Sequence, residues 1–171
     1  MTQISIRLYA TGDLADELMA YRDKVSDVIG AEADLPYCRL TSDFHPQTSS
    51  PTDCVRALDE AITAAPKVEN AVVEVIEPQY TLEQHWLELS SSWVRDMVTA
   101  FVQRLGCDAQ IIPQDSLQLI LASPIDQAQH EKLRVLGEAL DWSARAGWDV
   151  RLYQETDEGS QVEGTWPIQQ P

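Results

Sequence analysis

The sequence predicts an α+β or α/β sandwich in two roughly matching halves, with helices outside and sheets facing inward. Patterns typical of strands and helices alternate along the chain in two roughly matching halves. The length of 171 residues and the 44% content of hydrophobic residues suit a single globular domain. We place that domain at residues 1–154 and interpret the acidic, aperiodic residues 155–171 as a loosely held C-terminal tail.

The first half of the chain begins with a strand and a helix. Apolar and polar residues alternate over residues 4–9, which is the pattern of a strand with one buried face. Residues 13–30 carry apolar side chains at helical spacing, with Asp13 as a capping residue and a glycine at the end. The run 36–41 predicts a short strand, and the proline-containing segment 43–51 predicts a loop.

The rest of the chain repeats these patterns. Caps, glycines and prolines bound the helices, and β-branched or alternating apolar residues mark the strands. The predicted elements are a helix from Pro51 to Pro66, a strand over 72–76, a strand over 86–89, a helix from Ser91 or Ser92 to Gly106, a strand over 117–122, a helix after Pro124 and a strand over 148–152.

Charge and composition limit the partners. The chain has 12 Lys and Arg against 28 Asp and Glu, which gives a formal net charge of -16, and it has no basic stripe. These features argue against a long nucleic acid or an anionic membrane as a partner and favour encounters with a basic protein. Three cysteines without C-x-x-C spacing, together with the lack of a long apolar run, predict a soluble cytoplasmic protein without a zinc site or a cofactor.

Two segments resemble motifs of the two-histidine (2H) phosphoesterases. Residues 36–45 read PYCRLTSDFH, where family members have Pro-His-Cys-Ser/Thr-Leu-Thr followed by a phenylalanine-rich loop. Residues 115–123 read DSLQLILAS and resemble the second motif, Leu-His-Leu-Thr-Leu-Ala. The resemblance covers residues 4–154 and implies a two-lobed fold of the LigT-like, cyclic phosphodiesterase-like kind. In that fold, antiparallel sheets line a central cleft and the helices lie outside.

The resemblance implies this fold without its chemistry. In the family, residues i and i+2 of each motif strand point into the cleft, where one imidazole removes a proton and the other protonates the leaving oxygen. The family hydroxyls hold the phosphate oxygens. Here the corresponding positions hold Tyr37 with Arg39 and Gln118 with Ile120. A phenol with an ordinary pKa of about 10 is a poor base at neutral pH, and an amide does not titrate there.

Three functional interpretations follow from the replacement of the family's histidines and hydroxyl residues at these four positions. In the first, the chain is non-catalytic and acts in protein interaction. Its cleft either binds a small phosphate or carboxylate through Arg39 or is vestigial, with Arg39 paired to a nearby carboxylate. In the second, an active cyclic phosphodiesterase or RNA-processing hydrolase has rebuilt its site from Arg39, Tyr37 and His45. In the third, the chain is an unrelated acidic α+β adaptor, in which residues 37 and 118 do not face one groove.

The remaining cysteine and histidine candidates have simpler interpretations. Cys38 lies between two cleft positions, so strand alternation places it against the helix layer as a small buried hydrophobe. His45 lies on the proline-containing loop, His85 near a strand, and His130 on a helix that we expect to be exposed. The three histidines share no spacing with one another or with a nucleophile, so we interpret most of them as ordinary surface or loop residues.

Overall fold

The computed structural model describes residues 2–46, 49–65, 73–106, 111 and 113–168. Within these ranges the chain forms four helices and seven strands. The helices are α1 (Asp13–Ile29), α2 (Pro51–Ala64), α3 (Ser92–Leu105) and α4 (Gln127–Glu138). The strands are β1 (Gln3–Thr11), β2 (Cys38–Arg39), β3 (Glu74–Tyr80), β4 (His85–Ser90), β5 (Leu117–Ala122), β6 (Gly147–Thr156) and β7 (Gly159–Ile168).

The strands form one sheet in the order β3-β4-β5-β2-β1-β6-β7. Every neighbouring pair of strands is antiparallel. The predicted α+β class is therefore confirmed, since helices are combined with a sheet that has no parallel pair among the described strands.

The helices cover one face of this sheet. Alternate residues of its central strands, such as Ile6, Cys38 and Leu119, are fully buried. They belong to the same hydrophobic core as Leu58 of α2 and Phe101 of α3. Because successive side chains of a strand point to opposite faces, the residues between them lie on the other face, which none of the four helices covers.

The chain order repeats within the sheet. A strand–helix–strand–helix unit occurs as β1-α1-β2-α2 and again as β4-α3-β5-α4. The second strands of the two units, β2 and β5, are neighbours at the middle of the sheet, and Cys38 lies opposite Leu119 there. The helices pair in the same sense, α1 with α4 and α2 with α3. The two units are thus related by an approximate two-fold axis between β2 and β5.

Side chains and glycines fix the helix ends. Ser50, Ser91 and Asp126 cap α2, α3 and α4 by accepting hydrogen bonds from backbone N–H groups three residues later. Helix α1 differs from its prediction, because Gly12 precedes it and Asp13 is its first residue, without a side-chain cap. The Asp13 charge still favours the helix start electrostatically. No helix in the described part of the chain combines the length and apolarity needed to cross a bilayer.

The C-terminal segment is a strand over most of its length. Within the predicted tail 155–171, residues Gly159–Ile168 form β7, which is paired with β6 along its whole length. The hairpin turns at Gly159, whose φ of 123° suits a residue without a side chain. Trp166 anchors the strand, because its Nε1 donates to Asp59 Oδ1 at 3.0 Å. Hairpin pairing and this contact therefore hold a segment whose acidic composition predicted a loose tail.

Several strands have other limits than the sequence predicted. The strand predicted over 36–41 is reduced to Cys38–Arg39, flanked by residues without regular structure. The strand predicted over 72–76 corresponds to β3, which begins at Glu74. Residues 66–72 and Cys107 lie outside the described ranges.

Candidate functional site

The four residues at the resembling motif positions lie together. Cys38 and Leu119 face each other across β2 and β5, and both are fully buried on the helix side. Their neighbours along the two strands therefore point to the helix-free face. These neighbours are Tyr37, Arg39, Gln118 and Ile120. The backbone N–H of Ile120 donates to the carbonyl oxygen of Tyr37 at 3.2 Å, which ties the two strands together at this point.

Arginines extend this site across the sheet. Arg7 of β1 lies opposite Arg39 of β2 and, on its other side, opposite Arg151 of β6. Since Cys38 pairs with Leu119, Arg39 also lies opposite Gln118. We call Gln118, Arg39, Arg7 and Arg151 the arginine row. Like charges placed directly opposite destabilise a sheet unless other groups compensate them.

Tyrosine rings provide part of this compensation. The Arg7 guanidinium carbon lies 4.5 Å from the ring centre of Tyr37 and 4.2 Å from that of Tyr153, so Arg7 is held between two rings. The Arg151 guanidinium lies 4.3 Å from the ring centre of Tyr9. Such cation–π contacts are each worth about 0.5–2 kcal/mol. The rings thus hold the guanidinium groups in place.

Carboxylates also compensate the like charges of the arginine row. The ion pairs of the row are Arg7 with Glu155 at 2.5 Å, Arg39 with Asp43 at 2.9 Å and Arg151 with Asp149 at 3.3 Å. The three arginines differ in access, because the Arg39 side chain is 40% exposed, against 12% for Arg7 and 27% for Arg151. An exposed ion pair is worth only about 0–1 kcal/mol. An external anion could therefore displace Asp43 from Arg39 at little cost.

The pKa values of Arg39 and Tyr9 on this face are raised above their ordinary values. Burial lowers the pKa of Arg39, but its hydrogen bond with Tyr37 and the Asp43 carboxylate outweigh burial and raise that pKa above its ordinary value. Burial and a hydrogen bond with Tyr153 raise the pKa of Tyr9. Arg39 therefore keeps its positive charge and Tyr9 remains a neutral phenol at pH 7.

A pocket of about 380 Å³ adjoins the motif positions. It lies where β2 begins and β5 ends, between the C-terminal end of α1 and the connection from β5 to α4. Tyr37, Arg39 and Ile120 form one of its walls. Its size falls within the range of pockets that take small organic molecules.

None of the three histidines faces the motif positions. In the described part of the chain, His45 forms no hydrogen bond with Tyr37, Arg39, Gln118 or Ile120. Its Nδ1 lies 2.8 Å from the carbonyl oxygen of Thr2. Its neighbour Phe44 pairs with Ile4, whereas Tyr37 packs on Tyr9, five residues further along β1. At about 3.4 Å per residue, His45 is therefore some 17 Å or more from Tyr37 along the sheet.

The other two histidines are buried on the helix side, which corrects the expected exposure of His130. His85 is fully buried and His130 is 8% exposed. His85 Nε2 lies 2.9 Å from His130 Nδ1, so the pair joins β4 to α4. The helix pattern predicted an outward side chain, but the turn before β4 approaches α4 closely enough for the Thr81 carbonyl to reach His130 Nδ1 at 2.8 Å.

Cys38 has the environment that strand alternation predicts. Its side chain is fully buried in the core, and burial raises the pKa of its thiol to about 12. A thiol in this state is not a nucleophile, because the thiolate is the reactive form.

The residues that sequence reasoning missed are Arg7, Tyr9, Arg151 and Tyr153. A signal for them was present, since the pattern Arg-x-Tyr occurs in residues 7–9 and again in residues 151–153. The reversed pattern Tyr-x-Arg occurs at residues 37–39. Each pattern places both side chains on one face of its strand. What the sequence does not give is the strand order β2-β1-β6, which brings the three patterns together.

Comparisons with known proteins add no family assignment. No protein-family model matches the chain, and no curated protein matches it significantly.

Proposed function

We propose that this chain is a non-catalytic 2H-like protein that binds a small anion at Arg39, with Tyr37 and Gln118 beside it. The observation that carries the proposal is the meeting of both resembling motifs at β2 and β5, on one open face. The two-lobed 2H architecture is part of this proposal. The repeated strand–helix–strand–helix unit supports it, because the motifs occupy equivalent strands related by the approximate two-fold axis.

The chemistry of the site supports binding rather than turnover. A 2H reaction needs two groups that exchange protons near pH 7, and the positions concerned hold a phenol and an amide. Loss of both the acid and the base costs on the order of ten-thousand-fold in rate or more. Arg39 offers the opposite property, a permanent charge with several donors in a planar fork that suits phosphate and carboxylate oxygens.

The two alternative interpretations fit the geometry less well. A hydrolase rebuilt from Arg39, Tyr37 and His45 requires the three side chains to meet, and His45 is bound near Thr2 at the start of β1. The unrelated adaptor requires residues 37 and 118 to face different surfaces, and they flank a facing pair on adjoining strands. Anion binding through Arg39 does not exclude a basic protein partner elsewhere on a chain of net charge -16.

The proposal predicts binding of simple anions without turnover. In titrations followed by NMR, inorganic phosphate and acetate should shift the signals of residues around Arg39, and Arg39→Gln should abolish these shifts. Asp43→Asn should strengthen binding several-fold, because it removes the internal carboxylate that competes for Arg39. Arg56→Gln is the matched control, since Arg56 is also an exposed arginine paired with a nearby aspartate.

Enzymatic assays test the other half of the proposal. Incubation with 2′,3′-cyclic nucleotides and with oligonucleotides ending in a cyclic phosphate should give no product above the buffer rate. Robust turnover that is lost on changing Tyr37 or Gln118 would overturn the non-catalytic assignment. Anion titrations that give no shifts at all would overturn the binding assignment.

A further inference from the structure

We propose that the ligand bound at Arg39 is a monoanionic amphipathic molecule, a carboxylate with an apolar body that occupies the adjoining pocket. This inference rests on the proposed function and assigns a chemical class to its ligand. The geometry behind it is a pocket of about 380 Å³ with Arg39 in its wall.

Most of the pocket wall is apolar. Val25 and Ile29 of α1 contribute from one side, and Leu121 and Ile125 contribute from the other. Leu35 adds an apolar side chain that is 37% exposed. Pockets of this composition gain affinity by removing the apolar part of a ligand from water, at about 25 cal/mol per Å².

The charges of the chain favour one anionic group over several. A net charge of -16 repels polyanions at long range. Within the arginine row each guanidinium already has a carboxylate partner, so the row carries little excess positive charge. A single carboxylate that replaces Asp43 at Arg39 keeps this balance, whereas a polyanion would have to displace several internal carboxylates. The affinity therefore has to come mainly from the apolar body.

The charged groups around the pocket also set the orientation. Besides Arg39, the charged residues in its described wall are Glu32 and Asp34. Arg22 balances Glu32, with an Nη2–Oε1 distance of 3.0 Å. Asp34 repels an anion, so the carboxylate of the ligand is directed to Arg39 and the apolar body to the region between them.

A series of straight-chain monocarboxylates tests the inference. Calorimetric titration with acetate, butyrate and hexanoate should show affinity rising about fourfold for each methylene that enters the pocket. Arg39→Gln should weaken every member of the series. Leu35→Ser, at an exposed position of the wall, should weaken hexanoate strongly and acetate little. Leu82→Ser is the matched control, because Leu82 is exposed in the turn between β3 and β4, away from the pocket.

The outcomes separate this inference from the proposed function. If phosphate and acetate bind in an Arg39-dependent way but affinity does not change with chain length, the pocket is not a ligand site and only the inference fails. If hexanoate still binds tightly to both Arg39→Gln and Leu35→Ser, its binding is unspecific and the inference also fails. If none of the anions binds to the folded protein, the inference and the proposed function fail together.

Discussion

Mild acid should destabilise this protein through the buried pair of His85 and His130. The Thr81 carbonyl only accepts hydrogen bonds, so we assign a proton to His130 Nδ1, which lies 2.8 Å away. His85 Nε2, at 2.9 Å from the same nitrogen, must then be the acceptor. The proton of His85 is on Nδ1, which faces the Tyr21 hydroxyl at 3.4 Å, and Tyr21 donates to the Leu133 carbonyl at 3.3 Å.

Protonation breaks this chain of hydrogen bonds. A second proton on His85 would be bound to Nε2, so the N–H groups of His85 Nε2 and His130 Nδ1 would point at each other inside the core. Burial, and next the charge of His130, lower the pKa of His85 from 6.5 to about 4. The other ionisable groups around the pair are Tyr21, Tyr80, whose ring packs edge-on against His85, and Glu131, 3.6 Å from His130 Nε2. Of these, only the exposed Glu131 can offset positive charge.

The magnitude follows from the two pKa values. Because the folded pKa is below the unfolded one, the unfolded state binds more protons between pH 6.5 and about 4, and stability falls as the pH falls. Linkage gives a loss of about 2 kcal/mol between pH 7 and pH 5, and about 3 kcal/mol by pH 4. Such a loss is a large fraction of the 5–15 kcal/mol that is typical of domains.

Urea unfolding at a series of pH values, followed by tryptophan fluorescence, measures this loss. His85→Gln removes the titrating group, so it should be less stable at pH 7 but should show a flatter dependence between pH 7 and pH 5. His45→Gln is the matched control and should keep the wild-type slope, because His45 lies away from the pair. Equal slopes for wild type and His85→Gln would refute the reasoning.

Two further predictions concern single side chains. Ser91→Ala should lower the free energy of unfolding, measured with urea, by about 1 kcal/mol, because the buried Ser91 hydroxyl accepts a hydrogen bond from the backbone N–H of Val94 at 3.0 Å. The control Ser92→Ala, at an exposed position of the same helix, should change this free energy by less than about 0.5 kcal/mol. Native Cys38 should not react with a thiol reagent at pH 8 on the timescale on which it reacts completely in urea-unfolded protein, because its thiol is buried and its pKa is about 12. Rapid labelling at Cys38 in the folded protein, located by peptide mapping, would contradict the placement of β2.

Local sequence patterns predicted most elements of the fold but not all of their limits. Apolar spacing located α2, α3 and α4, together with Pro51 at the start of α2, the cap Ser91 of α3 and Pro124 before α4, because each of these signals lies within a few residues of the helix start. The caps Ser50 and Asp126 were not predicted. Strand β7 was missed because its residues show no alternation, and its order comes from pairing with β6 and from the Trp166–Asp59 contact. Both causes are tertiary, and neither has a local signature.

For the candidate site as well, local patterns predicted some residues, whereas others depend on tertiary structure. The family resemblance predicted that Tyr37 and Arg39 face the cleft, and strand alternation then predicted that Cys38 faces the helices. Cys38 is indeed fully buried in the core. The neighbours Arg7 and Arg151 could not be assigned to the site, because their place depends on which strands adjoin β2. Likewise, the exposure of His130 was predicted wrongly, since a helix position that is outward in isolation is covered here by the turn before β4.

The two faces of the sheet thus hold polar groups of opposite kinds. The helix side buries His85, whose pKa is lowered to about 4 by burial, so its protonation in mild acid costs stability. The open side carries Arg7, Arg39 and Arg151, whose charges do not change over the same pH range. Proton-transfer catalysis requires titrating groups on the accessible face, whereas recognition of an anion requires permanent charge there. The permanent charge of the arginines on the open side is the property that the proposed anion binding requires, independently of any resemblance between the motifs.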